Sequence, residues 1–504
     1  MTLDASPPLV GAAAMERRAS DVIRDDHGVL HGDRFGEIAR EMIRWSETWT
    51  TAPPGDRWDV ALVTPQTGEA LAAVTGLAVA GWAVGVVDPG WTPAEQQAAV
   101  HQLDPSAVVV PADQGVTGQR LVVAGWRPVM HPNGAWIALL PPGREGGCVP
   151  PAPTPDTAFY VGFTSGSTGR PKAFARSHRS WRESFRGLDE LVRITERDLV
   201  AIPGSVSSSH FLFGALHALD HGADLDLRTV PGTRPWAGAP APDVVYVVPS
   251  LLTRMLDSCD GRERSPRYLM CAGARLEPEV IGRASWTWPN AGLVEYYGAS
   301  ELSFVTIRCP GDGAPVESVG RAFPGVEVTV RDDDDRPVAP GVTGRVFARG
   351  PLTFSGYRGA VPVSAARRAD DGAWTVGDSG HLDENGYLYV AGRGSALIIT
   401  GGMNVQPEEV EGVLAAAPGV HEAVVVGVPD AQWGEIVVAV LTTGTGVDLR
   451  REDLRSLVAE RLAAGKRPRR YLAHSAPLPL LPSGKADRIA IRESVLEGVL
   501  DEIR

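Results

Sequence analysis

The chain has 504 residues, more than one hydrophobic core organises, so several subdomains are expected. Apolar residues are 43% and charged residues 22%, an ordinary globular composition that excludes a disordered, collagenous or coiled-coil chain. Acidic side chains outnumber basic ones 61 to 48, a net charge of −13 with no Lys/Arg-rich stripe to offset it, which argues against duplex nucleic acid as a partner.

Short apolar runs predict strands at Val60–Thr64, Trp82–Val87, Ala107–Val110, Ala158–Thr164, Val244–Val248 and Tyr268–Cys271. Helical patterns fall between them at 67–80, 92–103, 175–191, 249–258 and 277–285. Strand–helix alternation predicts an α/β fold, a large domain of mostly parallel sheet covered by helices. The uncharged run Leu71–Val87 reads as a helix followed by a buried strand, too short to span a bilayer comfortably. From Val319 to Gly356 the pattern changes to short alternating strands, a small antiparallel β section. The charge run Arg331–Arg336 lies between two of those strands and reads as a solvated hairpin turn rather than a metal site. Beyond residue 392 a compact α/β pattern follows: helix 407–416, strands 420–428 and 436–442, helix 451–464. Two domains are therefore expected, residues 1–392 and residues 393–504.

The four cysteines, Cys148, Cys259, Cys271 and Cys309, form no paired metal or redox motif and fit thiols of a cytoplasmic protein. The N-terminus carries no basic-then-apolar stretch, so neither a signal peptide nor a membrane span is expected. Lysine occurs only three times, as Lys172, Lys466 and Lys485, against 48 basic residues in total. Arginine serves wherever a generic positive charge will do, so each retained lysine marks a position that needs a compact, flexible ammonium.

Four segments carry chemistry. Thr164-Ser165-Gly166-Ser167-Thr168-Gly169-Arg170-Pro171-Lys172 follows a strand and is expected to lead into a helix. Its glycines let backbone N–H groups approach a phosphate, and its hydroxyls and Lys172 add donors. It is not a Walker loop, because Lys172 follows Pro171 rather than a glycine. In Tyr296-Tyr297-Gly298-Ala299-Ser300-Glu301 a carboxylate stands just past a strand end, placed either to hold Mg²⁺ or simply to meet solvent. In Val376-Gly377-Asp378 the aspartate suits ribose hydroxyls, although alone it reads as a Gly-Asp turn. The fourth segment, Leu481–Lys485, ends in one of the three lysines.

Together these segments resemble the adenylate-forming (ANL) superfamily, most closely an acyl-CoA synthetase, from about residue 58 to 492. The first resembles its TSGSTGxPK signature, Tyr297–Glu301 its YGxTE signature with Ser300 for Thr, and Gly377–Asp378 its TGD element with Val376 for Thr. Lys485 falls on its C-terminal catalytic lysine, and Gly320–Val328 and Gly401–Glu411 also match. Ala173 stands where Gly is usual, Gly344-Arg345 where Gly-Glu is common, and Ser395 at the hinge position usually held by Asp or Lys.

The resemblance implies a large N-terminal adenylating domain and a small mobile C-terminal domain. It implies activation of a carboxylic acid by ATP to acyl-AMP, then transfer to the thiol of coenzyme A with release of AMP. Thr164, Ser165, Gly166, Ser167, Thr168, Gly169, Ser300 and Lys172 would hold the phosphates, and Glu301 Mg²⁺. Gly273, Ala274 and Tyr297 would take adenine, and Asp378 and Arg393 the ribose. Lys485 would act in adenylation, and Gly402 would line the thiol tunnel. Ser207, His210 and Gly298 would line the acyl pocket, with His210 either beside the bound carboxylate or satisfied by loop backbone. Amino-acid-activating relatives carry an aspartate in the segment matching Ser205–Phe211, and this chain has none there. An unpaired ammonium is costly to bury, so a non-amino acid is expected. The alternatives are delivery of the acyl group to the phosphopantetheine of an acyl carrier protein and, in another class, a catalytically silent nucleotide-binding protein.

Overall fold

The computed structural model describes residues 9–504 apart from 65, 113–123, 145, 147–148, 165–170, 229–239, 260, 262–263, 274–275, 277, 360–365, 394–397, 444–448, 475–477 and 480–485; within helices and strands it leaves out the side chains of 250, 391–393 and 408. Among the described residues the N-terminal domain holds two large sheets. In the nine-stranded sheet, Val22–Asp25, Asp224–Asp226, Leu199–Ala201, Val244–Val247, Tyr268–Cys271 and Gly292–Ala299 run parallel in that spatial order, with antiparallel strands at both edges. The eight-stranded sheet has a parallel centre of Ala107–Pro111, Asp59–Val63, Ala83–Val87 and Ala158–Thr164.

The uncharged run resolves into helix Gly68–Val79 and strand Ala83–Val87, both almost wholly buried. The helix is apolar all round because it contacts strands of both sheets, so it has no face turned to water. No helix among the described residues is long and apolar enough to cross a membrane. The main core fills the space between the sheets, with Trp49, Trp82, Trp181 and Trp288 among its fully buried side chains.

The antiparallel section is larger than the sequence indicated, taking in six strands from Glu327–Arg331 to Leu388–Arg393. The acidic run is its hairpin turn: Asp332 caps backbone N–H groups of Asp334 and Arg336, and Asp333 is fully exposed. The small C-terminal domain has its own six-stranded sheet, from Ile398–Thr400 to Asp501–Glu502, with separate cores on its two faces.

Lys466 joins the two domains. Helix Pro93–Leu103 opens with a capping box in which Glu95 Oε2 accepts from the Thr92 backbone at 2.9 Å. The other oxygen, Oε1, lies 3.1 Å from Lys466 Nζ, which also donates to Glu409 Oε1 at 2.7 Å. Burial opposes the ammonium's charge, but Glu409 and Glu95 more than offset it and raise its pKa above the ordinary lysine value. A compact ammonium fits between two carboxylates where a planar guanidinium does not. Lys466→Ala leaves two buried carboxylates facing each other and is expected to weaken the domain contact by about 3 kcal/mol. Limited proteolysis and the melting profile check this, with Lys466→Arg recovering only part; a Lys466→Ala melt superimposable on the wild type would remove the role.

Candidate active site

The site begins with a hairpin. Ala158–Thr164 pairs antiparallel with Lys172–Ser177 in the register Thr164 to Lys172, Gly162 to Phe174 and Tyr160 to Arg176. The expected helix over 175–191 is thus corrected: a strand follows Pro171, and the helix is His178–Asp189, capped by the Ser177 side chain accepting from Ser180 N–H. The cause is alternation. Ala173 and Ala175 pack with Val161 on one face, and Phe174 joins Tyr160 and Trp181 on the other. Gly162 is required there, because a Cβ would lie 2.2 Å from the Phe174 ring. Ser165, Gly166, Ser167, Thr168 and Gly169 lie outside the described residues.

Thr164, half-buried, and Lys172, buried, line a cavity of about 390 Å³. Strand Gly292–Ala299 forms another wall. Tyr296 faces the cavity and Tyr297 the opposite side, where it packs against Val328 and Val305's cluster. The pairing shifts register between Tyr297 and Gly298, a bulge that re-aims the chain. A Cβ on Gly298 would lie 2.0 Å from the Ser303 carbonyl oxygen, and Ser303 itself has φ +64°. This tight turn carries Ser300 and Glu301 onto the cavity wall. Glu301 is 8% exposed, and its Oε1 accepts from the Tyr357 hydroxyl at 2.9 Å. Tyr357 is fixed in turn by the Ala366 N–H. Glu301 is the one carboxylate among the described residues lining the cavity. A single oriented carboxylate on the same cavity as Thr164 and Lys172 fits Mg²⁺, which takes one or two protein carboxylates and completes its shell with phosphates and water.

Tyr297 and Asp378 meet across 81 positions of sequence: the phenol donates to Asp378 Oδ2 at 2.5 Å. Asp378 is 3% exposed, and its backbone stands opposite that of Arg393 in the neighbouring strand. Gly377, at φ +87°, makes the turn before it. Gly273 follows strand Tyr268–Cys271 at φ +95° and lines the cavity. The C-terminal domain completes the wall with Gly402, Asn404 and Gln406. Gly402 has φ +77°, and a Cβ there would lie 2.5 Å from Val248 Cγ2, so both backbone and neighbour exclude a side chain. Ala274, Ser395, Lys485 and the Arg393 side chain lie outside the described residues.

His210 lines the cavity at the start of helix Ser209–Asp220. Its Nε2 is 3.0 Å from the Val247 carbonyl, which can only accept, so Nε2 carries the proton and Nδ1 accepts from the Tyr296 hydroxyl. It faces the cavity, and both of its ring nitrogens are engaged by Tyr296 and Val247. Burial lowers its pKa to about 4, so it is neutral at pH 7. Ser207 is not among the described residues lining the cavity. Its hydroxyl donates to Asp88 at 2.8 Å, and Ser208 and Ser209 line the wall instead, because the chain turns into the helix at that point. Tyr296, Arg176, Trp181, Phe213 and Phe304 were missed. Period-2 alternation would have found Arg176, had 172–177 been read as a strand.

The family model for AMP-binding enzymes matches residues 52–358, and that for the AMP-binding enzyme C-terminal domain residues 409–485. The chain is similar to the uncharacterized acyl–CoA ligase YhfT of Bacillus subtilis, 34% identical over 91% of this chain and 92% of the relative. It is 31% identical to the fatty acid–[acyl-carrier-protein] ligase ScoC of Streptomyces coeruleorubidus, over 68% of each chain. Among solved structures it resembles the amide bond synthetase McbA from Marinactinospora thermotolerans, with a TM-score of 0.79 and 25% identity over 96% of this chain and 99% of that one.

The His210 geometry predicts a pH dependence. With a folded pKa of about 4 against the ordinary 6.5, the unfolded chain takes up the proton first. The stability held by neutral His210 is therefore complete above pH 6.5 and lost as pH falls from 6.5 to 4. Urea unfolding across this range is expected to show the fall, with a shallower one in His210→Asn. An NMR titration midpoint for His210 near its ordinary value would contradict the assignment.

Proposed function

This chain belongs to the AMP-binding enzyme family, and we propose that it activates a non-amino carboxylic acid with ATP and passes the acyl group to the thiol of coenzyme A. The observation that carries the reading is the meeting of Thr164, Lys172 and Glu301 with the C-terminal domain's Gly402 on one cavity. The similarity to an acyl–CoA ligase over nine-tenths of the chain supports the acceptor.

The reaction runs in two steps. A carboxylate oxygen attacks the α-phosphorus of ATP, the bond to the β-phosphate oxygen breaks, and pyrophosphate leaves. The acid thereby gains AMP as a leaving group. The sulfur of coenzyme A, having given up its proton, then attacks the acyl carbon, and the bond to AMP breaks. The protein's work is alignment and charge. Thr164, the residues 165–169 and Lys172 grip the β- and γ-phosphates, with Ser300 beside them. Glu301, oriented by Tyr357, would hold Mg²⁺, which when bound neutralises phosphate charge. Gly273 and Ala274 receive adenine, Asp378 with Arg393 receives the ribose, and Tyr297 reaches them from the other face of its strand. The Tyr297–Asp378 hydrogen bond supports this by coupling the two subsites. Lys485 donates to the α-phosphate and contributes about 10²–10³-fold in rate.

We place the domain boundary between residues 392 and 393, with Ser395 as hinge, and the reaction in the cytoplasm. The C-terminal domain swings between the steps, bringing Lys485 for the first and Gly402 for the second. The close approach of Gly402 to Val248 supports the second orientation as the one seen. An acyl carrier protein as acceptor is the second reading, favoured by the similarity to ScoC.

ATP–pyrophosphate exchange over a panel of acids tests the first step, and added coenzyme A or carrier protein tests the second. Exchange is expected with a non-amino acid and not with proteinogenic amino acids. Lys485→Ala should lose exchange yet turn over supplied acyl-AMP with coenzyme A. Gly402→Leu should keep exchange and lose the thioester. Equal loss of both steps in Lys485→Ala would defeat the alternating-domain account. Separately, Glu301→Gln should shift the Mg²⁺ dependence of exchange to higher concentration while the melting temperature stays near wild type. An unchanged Mg²⁺ titration would take the metal away from Glu301.

A further inference from the structure

The cavity holds a second cation that the two-step reaction leaves unused. Arg176 is 4% exposed and lines the cavity with Trp181 and Phe213. Its Nε donates to Ser180 Oγ at 3.1 Å, while its Nη2 is buried with no hydrogen-bond partner among the described residues. No carboxylate among the described residues forms an ion pair with it. Burial draws its pKa down to about 9, and the titratable group it feels, Tyr160, is pushed up to about 12 by burial, so at neutral pH a cation stands beside a neutral phenol. Arginine is almost never fully buried unless paired, because desolvating the charge costs several kcal/mol.

The register says which subsite this cation serves. Arg176 is four residues along its strand from Lys172, so the two Cα atoms are about 13 Å apart. That puts the guanidinium beyond the phosphate end of the hairpin, among aromatic rings. Trp181, Phe213, Phe304 and Tyr296 line the same cavity, and the Tyr160 hydroxyl meets that of cavity-lining Ser209 at 3.1 Å. Glu301 is already engaged by Tyr357 and does not neutralise it.

We infer that Arg176 is a specificity-determining residue that receives a second anionic group at the far end of the acid, so that the substrate is a dicarboxylic acid with an apolar or aromatic middle. This rests on the reading that the cavity activates a carboxylic acid. The guanidinium's forked donors match a planar carboxylate, which would satisfy the unpartnered Nη2 and neutralise the charge. The aromatic walls contact the middle of the molecule. An acid ending in a methyl group would leave the cation buried and unpaired, so the pocket discriminates against it.

The test compares matched acids in ATP–pyrophosphate exchange: octanoate against octanedioate, and phenylpropionate against its para-carboxy counterpart. The wild type is expected to favour the diacid of a pair by about 10- to 100-fold in kcat/KM, the worth of a hydrogen bond to a charged group. Arg176→Met should abolish or reverse that preference, and Arg176→Lys should keep part of it. Arg176→Met should also melt no lower than the wild type, because it removes an unpaired buried charge. Diacid alone should raise the melting temperature of the wild type and not of Arg176→Met. If that variant does not fold, the wild-type ratio and Arg176→Lys decide. Monoacids accepted as well as their diacids, or a ratio unchanged in Arg176→Met, overturn this inference and leave acid activation standing. No exchange with any acid overturns both.

Discussion

The antiparallel register of Ala158–Thr164 with Lys172–Ser177 sets the layout of the cavity. It places Thr164 opposite Lys172 at the tip and Tyr160 opposite Arg176 four residues below. Because side chains alternate across a strand, Lys172, Phe174 and Arg176 share one face, and Ala173 and Ala175 are left to pack the smaller core. A slip of one residue would turn both cations into that core, where neither could be solvated. Gly162 permits the arrangement by giving the Phe174 ring room to cross the hairpin. Pairing of Gly356–Arg358 onto the outer edge of Lys172–Ser177 then brings Tyr357 to Glu301. Both the pair Thr164 and Lys172 at the hairpin tip and the deep arginine thus depend on one pairing.

The second organising contact is between domains. Lys466 lies between Glu95 and Glu409, and Gly402 lies against Val248. Glu95 serves twice, capping its own helix with one oxygen and meeting Lys466 with the other. An ion pair of this kind is strong when both partners are present and unfavourable when either is withdrawn. It suits a contact that holds one orientation firmly and can still be exchanged for another. Trp433, stacked under Arg469 and reached by Arg254 of the N-terminal domain, adds apolar area to the same face. The three lysines therefore divide between the domain contact at Lys466 and, by resemblance, the phosphates at Lys172 and the adenylation step at Lys485.

Much of this was legible in the sequence. Tyr268–Cys271 is the strand that its apolar run indicated, and the uncharged run became a buried helix and strand. The acidic run became a hairpin turn, as alternation on both sides required. The misreading at 172–177 has a physical cause. Six residues of Ala, Phe, Arg, Ser and Lys carry little intrinsic strand preference, and the helix beyond them lent its period to the reading. What makes them a strand is pairing on both sides, with Ala158–Thr164 and with Gly356–Arg358, the latter about 180 positions away.

Sequence alone determined the chain's superfamily, its division into a large and a small domain, and the residue types of the segment 164–172 and the strand-end glutamate, because these depend on local spacing and backbone freedom. Tertiary structure alone decided what those residues meet. Tyr297 reaches Asp378, His210 reaches Tyr296 86 positions on, and Glu301 is oriented by Tyr357. Arg176 is the sharpest case. Alternation along 172–177 would put it on the cavity face, but nothing in the sequence shows that its Nη2 lacks a partner among the described residues. Burial and pairing are set by which strands lie side by side, and local periodicity carries no record of that.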